Sequence, residues 1–106
     1  MILVSSPNIP EKKIIKTLGL VKGNTIRARH IGKDIIAGLR AVVGGELHEY
    51  TQLLAQSREQ AIDRMIEDAE KMGANAIVSV SFTTSVMSQG SAELMAFGTA
   101  VLIEDH

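Results

Sequence analysis

The amino-acid sequence predicts one α+β domain with the order β-α-α-β-β, in which helices cover one face of an antiparallel sheet. Near both ends of the chain, apolar residues alternate with a period of two, which is typical of strands. Between these regions they recur every three or four residues, as in amphipathic helices. With 106 residues, the chain is long enough for one core and too short for two, so we expect a single domain over residues 1–106.

The N-terminal region is predicted to hold a short strand and a long one. Ile2 to Val4 forms the short strand, and the turn-rich segment Ser5 to Pro10 follows it. The long strand starts at Lys13. Gly23-Asn24 is either a bulge in it or a turn into a second piece, Thr25 to Arg29.

Two helices are predicted in the middle of the chain. The first spans residues 31–43 and stops at Gly44-Gly45. The second begins at Glu46 or Tyr50 and ends at Met72, with Gly73 in the position of a left-handed C-terminal cap. At 1.5 Å per residue it reaches roughly 35 to 40 Å, longer than the ~26 Å diameter of a compact domain of this size. We therefore expect this helix to project from its subunit or to lie along a neighbour.

The last two strands form a predicted hairpin. Ala76 to Met87 is the first arm, Ser88-Gln89-Gly90 the turn, and Ala92 to Ile103 the second arm. Both faces of the second arm are apolar except at Glu93 and Thr99, and strands of this kind are usually buried on both faces. The C-terminal strand is therefore predicted to be central, between the long first strand and its hairpin partner.

One face of such a sheet lacks a covering layer, which favours a homo-oligomer. The uncovered face is expected to show one of the two sides of the last strand, together with Ile15 and Val21 of the long strand. The side of the last strand is either the small-residue side or the side with the larger apolar residues, which are Met95, Phe97, Val101 and Ile103.

Charge is divided unevenly along the chain. The net charge is -1, which argues against nucleic acid or an anionic membrane as a partner. Residues 1–40 nevertheless carry a net +6 and residues 41–106 a net -7. Either folding interleaves the two sets, or opposite faces of the subunit carry opposite signs. Opposite faces would allow head-to-tail association into a ring.

Several function classes lack their signatures. There is no cysteine, hence no disulfide, no thiol nucleophile and no thiolate metal site, and we expect an intracellular, cytoplasmic protein. No apolar run is long enough to cross a membrane. The phosphate-binding glycine motifs and the nucleophile elbow of hydrolases are also missing, so we expect neither an enzyme nor a cofactor. No catalytic residue is assigned.

An ordered set of residues resembles the YbjQ-like family. It comprises Gly38, Gly44-Gly45, Tyr50, Arg58, Ala61, the run Met72-Gly73-Ala74-Asn75-Ala76-Ile77-Val78, and Phe97-Gly98-Thr99-Ala100-Val101. The resemblance covers about Gly23 to Ile103. It implies an α+β fold similar to the dodecin subunit, with the last strand central, and a closed ring that is typically a pentamer. The family is commonly labelled heavy-metal-binding.

Glu46, His48 and Glu49 form the dense cluster of potential metal ligands in the sequence. Positions 46 and 48 of a regular helix point about 200° apart, so they could share an ion only at an irregular helix start. The main hypothesis is thus a non-enzymatic homo-oligomer, a scaffold or ligand-binding module with no assigned metal site. The alternative is a heavy-metal-binding protein that uses these three residues.

Overall fold

A computed structural model of the chain describes residues 1–27, 48–88 and 91–106. Its strands are β1 (Ile2–Leu3), β2 (Lys12–Arg27), β3 (Ala76–Ser88) and β4 (Ser91–Asp105), and its helix is α1 (His48–Lys71). The predicted helix over residues 31–43, its glycine stop and the turn residues 89–90 lie outside the described residues.

The four strands form one sheet in the order β1-β3-β4-β2. The C-terminal strand β4 therefore lies between β3 and β2, which confirms its predicted central position. The sheet is mixed, because β1 pairs in parallel with β3 whereas β4 is antiparallel to both of its neighbours. The prediction of an antiparallel sheet is confirmed for the three long strands and is wrong for β1, whose parallel pairing makes the sheet mixed. β1 and β2 lie at opposite edges, so the connection between them crosses the sheet instead of turning back as a hairpin.

β2 is one continuous strand through Gly23-Asn24, which pair regularly with Ala96 and Met95. The irregularities lie earlier, between Ile14 and Lys16 and between Thr17 and Gly19. Each extra residue moves the following side chains to the other face of the sheet. The two shifts cancel beyond Gly19, so Val21 lies on the face opposite Ile14, as simple alternation would place it. Contrary to the prediction, this is the face that α1 covers, and Val21 is completely buried there.

The main core lies between α1 and the strands β2 and β4. Small side chains dominate it, which brings the helix close to the sheet. Thr25 is buried there and donates its hydroxyl to the carbonyl of Ser57 at 3.1 Å. The fully buried apolar members are Val21, Ala61, Met65, Ala69, Ile77, Ala96 and Ala100.

The end of α1 follows the prediction closely. Gly73 has a φ of +85°, and its N–H donates to the carbonyl of Glu70 at 3.0 Å. The N–H of Ala74 donates to Ala69 at 3.1 Å, which completes a Schellman cap. Met65, in the middle of the second half of α1, is fully buried, whereas Met72 is 42% exposed because it follows the last helical residue.

A second core cluster lies on the opposite face of the sheet. Val4 and Ile9, in the connection between β1 and β2, pack against a buried group formed by Ala76, Val78, Val101 and Ile103. Val101 and Ile103 were expected to be uncovered. They are 1% and 8% exposed, because the N-terminal connection covers this half of the face.

The described part of the chain measures 54 × 25 × 15 Å, with a radius of gyration of 16.9 Å. A compact domain of this length has a radius of gyration of about 13 Å. The elongation comes from three strands of 13 to 16 residues, far longer than the usual five or six. Among the described elements, no helix combines the length and apolar character needed to cross a bilayer.

Candidate functional site

α1 approaches the backbone of β2 very closely at Gly23. A Cβ at this position would lie 2.5 Å from the backbone nitrogen of Met65 and 2.9 Å from Cβ of Arg64, and it would collide with the carbonyl oxygen of Ala61. Only glycine fits there, since the opposing atoms are mostly backbone. The contact fixes α1 directly over β2.

Two side chains of α1 bind backbone groups of β2. Arg64 donates through Nη1 to the carbonyl oxygen of Asn24, and Asp68 Oδ2 accepts from the N–H of Lys22 at 3.3 Å. In an antiparallel ladder, the backbone groups of alternate residues point to the same side of a strand. Lys22 and Asn24 therefore present their groups away from β4, and Arg64 and Asp68 occupy the outer edge of β2.

An open, shallow cleft of about 390 Å³ lies beside this contact. It mixes basic and acidic side chains, so no single sign of charge dominates it. Here Lys22, from the basic N-terminal region, lies with acidic residues of α1, which agrees with interleaved charges at this place. The lining residues are Lys22, Gly23, Asn24, Arg64, Glu67, Asp68 and Lys71.

The outer edge of β3 has a different character. Its first part is paired, since the N–H of Val80 donates to the carbonyl of Val4 at 3.0 Å and that of Ser79 to Ser6 at 2.9 Å. Beyond Val80, no strand of the described residues pairs with this edge. The segment from Ser81 to Ser88 contains no charged residue, no proline and no glycine. Lysines and prolines are usual means of protecting an edge strand, and this segment has neither; its irregularity lies at its end, between Val86 and Ser88.

Residues 81–85 of β3 are all exposed. Phe82 is among them, with 46% of its surface accessible although it belongs to a strand of the central sheet. An exposed, uncharged segment with a free edge is a template for another strand.

Beyond the N-terminal connection, none of the described residues covers the face of the sheet opposite α1. Leu20 is 69% exposed there, and Met95 and Phe97 are partly buried. Asn24 donates from Nδ2 to Oε2 of Glu93 at 3.1 Å on the same face. The predicted apolar patch thus remains at Met95 and Phe97, with Leu20 added, and it is smaller than expected.

The predicted metal ligands stand at and just before the start of α1, and their side chains lie outside the described part of the chain. His48 and Glu49 are the first two residues of α1, and Glu46 lies outside the described residues. Within residues 1–27, 48–88 and 91–106, no three histidine, aspartate or glutamate side chains are grouped for an ion.

The ends of β2 and β4 are joined by an ion pair between Lys12 and Asp105. The hydrogen bond from Lys12, together with its positive charge, lowers the pKa of the Asp105 carboxyl. Asp105 is largely exposed, so the pair links two strand ends at the surface and forms no enclosed reactive site.

Neither sheet edge was identified as a site by sequence reasoning. The signal for the β3 edge was present as an eight-residue run without charge. The signal for the β2 contact was a glycine in mid-strand, which often marks a close backbone approach.

Comparison with known proteins identifies the family. The YbjQ_1 family model, described as "Putative heavy-metal-binding", matches residues 1–104. The chain is 59% identical over 104 residues to a UPF0145 protein of Dehalococcoides mccartyi, an alignment that covers 98% of this chain and 100% of the relative. It is 57% identical over 103 residues to a UPF0145 protein of Methanosarcina acetivorans, with 97% of each chain covered.

A solved structure shares the fold. It is a protein of unknown function of the DUF74 family from Pediococcus pentosaceus, with a TM-score of 0.67, 14% identity and 98% of each chain covered. The family description and the names of these relatives assign no reaction. The sequence match and the shared fold agree, and this chain belongs to the YbjQ family.

Proposed function

We propose that this protein is a non-enzymatic, cytoplasmic homo-oligomer that acts as a scaffold or as a ligand-binding module. The uncovered face of the sheet carries this proposal. Leu20, Met95 and Phe97 lie on that face without a covering layer among the described residues. Apolar surface of this kind is usually buried against a partner. Association with further copies of the chain would bury this face against a neighbouring subunit.

The shape of the subunit supports the same proposal. A chain that is 15 Å thick in one direction and 54 Å long in another exposes much more surface than a compact domain. A ring of five subunits and a subunit like that of dodecin are the forms that the family resemblance implies. In a ring, each subunit presents two different surfaces to its two neighbours.

The ligand-binding role is supported by the cleft between α1 and β2. Lys22, Arg64 and Lys71 face it together with Glu67 and Asp68, so it suits a ligand that carries both signs of charge. Its polar groups lie on a helix and a strand that Gly23 holds in close contact, which gives the cleft rigid walls.

Native mass spectrometry of untagged protein, purified without chelator, tests the assembly. We expect a defined oligomer, and a stoichiometric mass excess would identify a retained ligand. Phe97→Asp places a charge on the uncovered face and should reduce the assembly to smaller species. Glu59→Gln, at an exposed position of α1, is the control for a single change of charge. An unchanged mass for Phe97→Asp would contradict an interface at this face.

Heavy-metal binding is the second candidate function, favoured by the family description. Its proposed ligands are Glu46, His48 and Glu49. Equilibrium dialysis with Zn²⁺, Ni²⁺ and Cu²⁺ should show stoichiometric uptake by the wild type and reduced uptake by His48→Ala. Equal uptake by both proteins would remove His48 from the site, and no uptake by the wild type would contradict metal binding.

A further inference from the structure

We infer that the outer edge of β3 beyond Val80 is a docking edge for the same edge of a second copy, with the two strands antiparallel and related by a two-fold axis at Thr84. This inference rests on the proposal that the chain associates with itself, but not on the ring of five. The segment concerned is Ser81 to Ser88.

The backbone of this segment is oriented for pairing. The N–H of Val80 points to the outer side of β3, where it donates to Val4. Outward groups recur every second residue of a regular strand, and the pairing of β3 with β4 is regular from Ser81 to Val86. Phe82, Thr84 and Val86 therefore present their N–H and C=O groups outward. These three residues have no strand partner among the described residues.

The other edge of the sheet, formed by β2, is poorly suited to pair with this segment of a second copy. Arg64 and Asp68 occupy the outward groups of Asn24 and Lys22 on β2. β2 also carries several lysines, which are a usual device against edge pairing, whereas the segment Ser81 to Ser88 carries none. Within the part of the chain that the structure describes, the two edges of the sheet are therefore unequal, one protected and one open. An open edge on a second copy is the mate that remains.

The sequence of the segment is complementary to itself. With the axis at Thr84, residue 84 faces residue 84 of the second copy, residue 83 faces residue 85, and residue 82 faces residue 86. These pairs are Thr with Thr, Thr with Ser, and Phe with Val, all of which are favourable across antiparallel strands. No charged residue opposes another. The exposed ring of Phe82 would also gain a neighbour.

The experiment places like charges at the axis. In Thr84→Lys, two lysines face each other, and in Thr84→Glu two glutamates do, so each variant alone should lose the contact. An equimolar mixture should restore it, because Lys then faces Glu. Gln60→Lys, at an exposed position of α1, is the control for the added charge. Far-ultraviolet circular dichroism checks that each variant is folded.

Native mass spectrometry distinguishes this inference from the ring. A wild-type mass of two chains supports the two-fold edge alone, and ten chains supports two rings of five joined by such edges. Five chains overturns the edge and supports the ring, and one chain overturns both. We expect Thr84→Lys to halve the wild-type mass and the mixture with Thr84→Glu to recover it. An unchanged mass in both single variants, or a mixture that does not recover, overturns the inference.

Discussion

The side-chain amide of Asn75 makes two hydrogen bonds with the backbone of Ile103. Nδ2 donates to the carbonyl oxygen of Ile103 at 2.9 Å, and the N–H of Ile103 donates to Oδ1 at 2.8 Å. The backbone N–H of Asn75 also donates to Val101 at 3.2 Å. Asn75 thus continues the β3–β4 ladder with its side chain, one residue before β3 begins. It connects the end of the helix cap to the central strand.

Loss of this amide should destabilise the fold. Asn75→Ala removes both hydrogen bonds and leaves the partly buried backbone groups of Ile103 unpaired. We expect a decrease of about 2 kcal/mol in the free energy of unfolding, measured by urea denaturation. Asn8→Ala changes an exposed asparagine and should shift stability by less than about 0.5 kcal/mol. Equal losses in the two variants would show that the amide of Asn75 does not hold β4.

Gly23 should tolerate no side chain. In Gly23→Ala, the new methyl group meets backbone atoms of α1, which can retreat only if the whole helix shifts. We expect a loss of more than about 3 kcal/mol, measured by the same denaturation.

Gly98→Ala is the matched comparison. Its methyl group would meet Cγ2 of Ile77 at 2.8 Å and the carbonyl oxygen of Val78 at 3.0 Å, and the nearer of these atoms belongs to a side chain that can adjust. We expect a smaller loss than for Gly23→Ala. A larger loss at Gly98 would mean that α1 adapts more readily than the sheet does.

Local patterns in the sequence were sufficient for the regular elements. The end of α1 was predicted from the period of its apolar residues and from Gly73. The central position of the last strand was predicted from its two apolar faces. These features depend on residues that are close in the chain. The irregularities of β2 were not predicted: Leu18 packs on the α1 face although alternation from Ile14 would place it on the other, and Gly19, with a φ of +138°, is a weak local signal of this.

Ser79 shows the same limit in β3. It has a φ of +55° and lies in a bulge opposite Gly98, so Val78 and Val80 pack on opposite faces of the sheet. Simple alternation places these two valines on one face. The bulge is compatible with many sequences and is selected by the two cores on either side. The protection of the β2 edge could not be predicted either, because Arg64 and Asp68 contact residues that lie some forty positions away in the chain.

The contacts of α1 with the β2 edge should suppress association through that edge. Arg64→Ala combined with Asp68→Ala frees the carbonyl of Asn24 and the N–H of Lys22. Because these contacts are exposed, we expect a stability loss below about 1 kcal/mol, but stronger self-association in sedimentation velocity as concentration rises. The control pair removes the same charges elsewhere on α1, through Arg58→Ala with Asp63→Ala. Equal association in both double variants would show that the edge is not protected by these side chains.

The pair of Lys12 and Asp105 should make a small part of the stability depend on pH. The hydrogen bond and charge of Lys12 lower the pKa of Asp105 in the folded state below its value in the unfolded chain. The unfolded state therefore binds the proton more readily, and the stabilisation is present above the unfolded value, about 3.9. It is lost as the pH falls through the lowered pKa.

An NMR titration of the Asp105 carboxyl measures this directly. In Lys12→Met the pKa of Asp105 should rise toward the ordinary aspartate value, whereas in Lys13→Met, one residue along β2, it should stay low. Added salt should reduce the difference, because the Asp105 side chain is largely exposed. If Asp105 titrates at the same pH in the wild type and in Lys12→Met, the ion pair does not hold the end of β4 to the start of β2. The ladder pairing of these two residues would then depend on the backbone alone.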